Sequence, residues 1–123
     1  MTKILSSVLA AAIAVTALTG SAMAASLTPV TVKGTLLDMK CYSAAGVTSR
    51  KHGMGCGKMC LKEGIPAGIL VNGKAWVLAT NSKKLADYVG LKIKVVGKAN
   101  AKDDILIPTS IKVWTHGMWK KVG

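Results

Sequence analysis

Apolar and polar positions alternate through most of this chain and fail to do so in one stretch. Residues 30–37 (VTVKGTLL) are rich in β-branched side chains and predict a strand, with Gly34 marking a bulge or sharp bend in its middle. Residues 69–78 (ILVNGKAWVL) place Asn72-Gly73 between two apolar runs. That pair suits a two-residue hairpin turn, whose central positions both need positive φ. Asn81-Ser82 caps a short helix in which Leu85, Tyr88 and Val89 share a face, and Gly90 ends it. Residues 91–95 (LKIKV) alternate as a half-buried strand with its lysines outward. A turn over 100–104 leads to a last strand over 105–114, where Pro108 requires an edge or a bulge because it has no N–H to give a ladder.

Residues 41–64 keep neither period. They are glycine-rich and predict a long loop with one helical turn near 56–62, ended by Pro66. The order is strand, loop, strand, turn, strand, short helix, strand, strand. It predicts a mainly β fold: a small five-stranded OB-like Greek-key barrel. One short helix lies between strands 3 and 4, and a long Cys-rich loop follows strand 1. A β-sandwich competes but usually shows more strands.

The N-terminus changes the compartment. Lys3, the uncharged apolar run 4–18 and the small residues Ala22 and Ala24 have the form of a cleavable secretory signal over residues 1–24. The run falls short of the roughly 20 residues of a membrane span, so no transmembrane segment is expected after cleavage; a retained anchor is the alternative. Residues 25–123 then form a single domain, periplasmic or secreted.

Sixteen basic and five acidic side chains remain after the signal, a net charge of +11. Such an excess favours an anionic surface or polymer as partner, or is simply a solvated face. Trp76 and Tyr88 are the stacking candidates for nucleic acid, but both fit the core equally, so no specific nucleic-acid readout is expected.

Cys41, Cys56 and Cys60 lie within twenty residues of one another. An oxidising compartment closes cysteine pairs, and an odd count leaves one thiol to be accounted for. Cys41, His52, Cys56 and Cys60 would complete a Cys₃His set of the zinc type, and thiolates with Met54 or Met59 would suit copper(I). A straight helix over 52–60 would set its outer two side chains about 12 Å apart, too far for one ion. Gly53, Gly55 and Gly57 weigh against such a helix in any case. The competing reading is a disulfide from Cys41 to Cys56 or Cys60, worth about 3 kcal/mol through loop closure. A redox-active thiol is a third, weakened by the lack of any C-x-x-C pair.

At the C-terminus, Trp114, His116 and Met118 would share a face if the last strand continued, with Trp119 beside them. These residue types are similar to those of small exported copper carriers with OB-like barrels; an apolar tail over a barrel end is the plainer reading. The run 53–58 lacks the Ser or Thr of a P-loop, no G-x-S-x-G exists and the carboxylates are scattered, so an enzyme is not expected.

Residues 32–38 (VKGTLLD), Cys41-Tyr42, His52, Cys56, Cys60, Gly64-x-Pro66-x-Gly68 and Tyr88-Val89-Gly90 resemble a pattern in small exported bacterial OB-fold-like proteins of largely unassigned function. The resemblance spans about 32–113 and implies that the loop cysteines and His52 act together. The leading expectation is therefore an exported, non-enzymatic module binding zinc or copper. The alternative is a disulfide-stapled basic module that recognises an anionic polymer.

Overall fold

Each predicted strand forms, and one more appears after them. The computed structural model describes residues 26–123. In chain order it contains β1 (Leu27–Asp38), α1 (Met39–Ala45), α2 (Arg50–His52), a π-helical segment (Gly53–Gly57) and α3 (Lys58–Lys62). There follow β2 (Ala67–Val71), β3 (Lys74–Leu78), a 3-10 helix (Ser82–Tyr88), β4 (Lys92–Asn100), β5 (Ile105–Thr115) and β6 (Met118–Lys121). The predicted signal at 1–24 lies outside the described residues. Among the described residues no helix is long and apolar enough to cross a membrane.

Five strands close into a barrel. β1 pairs antiparallel with β2 and β4, β2 with β3, and β4 with β5. A short parallel pairing of Val77 and Leu78 with Ile105 and Leu106 joins β3 to β5 and completes the ring. β6 lies outside it, paired with the end of β5. The alternation read in residues 91–95 continues along β4, with Ile93, Val95 and Ala99 buried. These pack with Leu36, Ile69, Leu78, Leu106, Ile111 and Val113 inside the barrel, while Leu61, Leu85 and Val89 join the same core from the helices. Each fully buried Leu or Ile contributes about 1.5–3 kcal/mol, which is how so small a domain holds together.

The turn chemistry behaves as its residue types dictate. Asn72 and Gly73 both take positive φ, 49° and 78°. Asn81 caps the 3-10 helix, its side chain accepting from the Lys83 amide at 3.1 Å. Pro108 sits at a bulge: Gly97 opposes Pro108 and Val96 opposes Ser110, leaving Thr109 unpaired, and its hydroxyl donates to the Val96 carbonyl at 3.1 Å.

Four expectations change. At Gly34 the β1 ladder keeps its register; what the position requires is space, since a Cβ there would stand 2.0 Å from the Leu70 carbonyl oxygen. The helix between β3 and β4 is present as 3-10 but is not alone, because the Cys-rich stretch is helical rather than a long loop. Asp38 and Ser49 cap its two parts, and Gly46, at φ 65°, ends the first by donating to the Tyr42 carbonyl. No straight α-helix spans 52–60, as its glycines implied, but the stretch is helical all the same: a π segment at Gly53–Gly57 joins α2 to α3 in one run from Arg50 to Lys62, with Gly53 and Gly57 packed directly on Val89. Finally, the last strand does not continue through His116. His116 and Gly117 take φ of 51° and 73° and make a second tight turn into β6, so Trp114, His116 and Met118 do not share one strand face.

Candidate metal centre

β1 delivers the first residue of the site and helical capping fixes it. Asp38 ends the strand, is 1% exposed, and caps α1 by accepting the Cys41 amide at 2.8 Å. Its other oxygen, Oδ2, stands 2.7 Å from His52 Nε2. Burial alone would push this carboxyl upward, but the Cys41 amide, the His52 ring and the Cys41 thiol outweigh it and hold Asp38 below the ordinary carboxylate range. A depressed folded value means that the carboxylate contributes stability above that range, and the contribution is lost as pH falls through it. Asp38→Ala removes a cap and a charged hydrogen bond together. It is expected to cost about 2–3 kcal/mol in urea unfolding at neutral pH, with a smaller penalty in acid.

The second contribution comes from the helical run. Gly53 has a would-be Cβ 1.9 Å from the Val89 carbonyl oxygen, and Gly57 one 2.8 Å from a Val89 methyl. The helix thus lies flat against the turn after the 3-10 helix. Arg50 ties it there by donating to the carbonyls of Val89 at 2.9 Å and Asp87 at 3.0 Å. The π segment between these glycines widens the turn that carries Cys56, a geometry often found at functional sites.

The outcome is a convergence of thiols. Cys41 from α1, Cys56 from the π segment and Cys60 from α3 bring their Sγ atoms within 4.8 Å of one another. Cys56 is exposed, Cys41 half-buried and Cys60 buried, and all three are free thiols. A second set, Asp38, Cys41 and His52, also lies within 4.8 Å, so Cys41 belongs to both. His52, expected beside the three cysteines, is instead turned to Asp38 and joins only Cys41 of them in such a set.

Burial first, then the Asp38 charge and the neighbouring Cys56, push the Cys41 thiol up to about 12. Burial, followed by the charge of Asp38, also raises Cys60. These sulfurs hold their protons at neutral pH, so an entering cation must displace them. The donors gathered here are soft, which suits copper(I), zinc or an iron–sulfur centre.

The remaining expected donors are exposed side chains. Met54 and Met59 are 59% and 62% exposed. His116 lies in the β5–β6 turn, 3.1 Å from the Thr115 hydroxyl, and Met118 is 63% exposed; His116 belongs to neither candidate set. Trp76 and Tyr88 pack against the core. Asp38 is the site residue that sequence reasoning passed over, although an acid three positions before Cys41 has the spacing of a helix cap. Comparison of the chain with protein families, curated proteins and solved structures finds no match.

Proposed function

We propose that this protein is an exported, non-enzymatic metal-binding module in which Cys41, Cys56 and Cys60 hold one soft cation, copper(I) in preference to zinc. The observation that carries the reading is the convergence of three sulfurs, one from α1 and two from the helical run after it, with no histidine or carboxylate in the same set among the described residues. Structural zinc is almost always four-coordinate, whereas thiolate ligands alone suit copper(I). His52 would complete a zinc-type Cys₃His set only by leaving Asp38. Export rests on the signal pattern at residues 1–24. The OB-like reading of the barrel is supported by its closure through β3 and β5 and by the 3-10 helix between β3 and β4.

The test is metal analysis of protein purified under reducing conditions, then offered copper(I) or zinc. One copper per chain is expected, with protons released from Cys41 and Cys60 on binding, read from the dependence of calorimetric heat on buffer ionisation. Cys56→Ser, which alters an exposed side chain, should keep the fold and lose the metal. A chain that takes up no metal, and in which Cys41 maps to a disulfide with Cys56 or Cys60, would instead be a stapled basic module.

A further inference from the structure

Cross-strand register sets four lysines in one line on the outside of the barrel. Lys33 of β1 opposes Lys94 of β4, Lys94 opposes Lys112 of β5, and Lys112 opposes Lys121 of β6. Directly opposed residues share a face, and here it is the outer one: the neighbours Ile93, Val95, Ile111 and Val113 point into the core. Three steps of strand spacing make a row about 14 Å long. Like charges placed directly opposite destabilise a sheet, and among the described residues no carboxylate offsets these. The four strands carry a single acidic residue, the buried Asp38, and none of the four lysines is in a salt bridge among the described residues.

The row has an aromatic border. Two positions along β5 and β6, Trp114 and Trp119 oppose each other and meet edge to face, ring centroids 5.2 Å apart. The Lys33 ammonium lies 5.8 Å from the Trp119 ring centre. Lys92, two positions along β4, adds a further exposed cation on the same face.

We infer that this outer face binds a linear acidic polysaccharide, whose successive carboxylates lie along Lys33, Lys94, Lys112 and Lys121. A row of cations crossing four strands, with Lys92 beside it, matches charges strung on an extended chain, whereas an anionic bilayer would meet charge spread over an area. Single-stranded nucleic acid stacks successive bases on aromatic faces, and this face offers a single indole pair, set edge to face beside the row and not along it. The inference is independent of the thiol site.

The experiment measures binding of the full domain to polygalacturonate at low salt, beside a single-stranded oligonucleotide and phosphatidylglycerol/phosphatidylcholine vesicles. Polygalacturonate should bind best, and weaken as salt is added. Lys94→Gln with Lys112→Gln should lower its affinity about tenfold, while Lys83→Gln with Lys84→Gln, the same change of charge on the 3-10 helix, should lower it no more than about twofold. The row variant should also unfold a few degrees above the wild type, because it loses opposed like charges, so a loss of binding cannot be put down to unfolding. Equal losses in the two variants, no binding of polygalacturonate by the wild type, or tighter binding of oligonucleotide or vesicles would overturn the inference.

Discussion

Gly53→Ala is expected to destabilise the domain by about 3 kcal/mol or more and to abolish metal uptake with it. The added methyl would stand 1.9 Å from the Val89 carbonyl oxygen, and backbone cannot yield as the end of a flexible side chain does. The helical run would have to lift from the turn it lies on, and Arg50 would lose its two carbonyl partners. Gly55→Ala, two residues on, is the internal control. Nothing lies within 4 Å of its Cβ position, and Ala favours helix over Gly by up to about 1 kcal/mol, so this variant should be the more stable one. Thermal unfolding separates the two: a fall of roughly 12 °C or more for Gly53→Ala against a rise of several degrees for Gly55→Ala. Equal behaviour of the two variants would mean that the helix does not lie on Val89.

Cys41→Ser is expected to weaken metal binding most, because this sulfur belongs to both candidate donor sets. Loss of a direct ligand should lower affinity by roughly 100-fold or more, beyond the 10–100-fold typical of residues that merely support ligands. His52→Asn divides the possibilities. A three-thiolate site keeps its copper in this variant, whereas a Cys₃His zinc site loses its metal. Competition with a chromophoric chelator under reducing conditions gives both numbers. Retention of full affinity by Cys41→Ser would remove the proposed centre.

The sequence makes the barrel legible where the deciding chemistry is local. Asn72-Gly73 needs only its own two residues to specify a hairpin, the Ile93–Val95 alternation reports its own burial, and Pro108 announces a ladder break within one residue of where it occurs. The helical site was hidden because its logic is non-local. Gly53 and Gly57 look like helix breakers until Val89, more than thirty residues later, is laid against them; close packing then outweighs a propensity cost of about 1 kcal/mol for each. The three cysteines were legible as a cluster, but not the turning of His52 toward Asp38, which depends on a carboxylate at a strand end. The β5–β6 turn was missed for a different reason. His116-Gly117 does the work that Asn72-Gly73 does, but a histidine with positive φ is a weaker signal than an asparagine.

The position of the thiols between β1 and β2 bears on how the chain folds. Every donor from Cys41 to Cys60 lies on a segment joining two strands that are already neighbours in the sheet, and Asp38 ends the first of them. Ring closure depends instead on bringing β3 to β5 across the 3-10 helix and the whole of β4. Contacts between residues distant in sequence are slow to form, and the most distant pairing in the barrel is β1 with β4, from Thr35 with Lys92 to Leu27 with Asn100, farther apart along the chain than Val77 and Ile105, so that ladder paces assembly more than the parallel seam does. A cation bound at the thiols would act by mass action on the finished fold and make escape from it costlier. A cation held there would thus act as a latch on a barrel already closed.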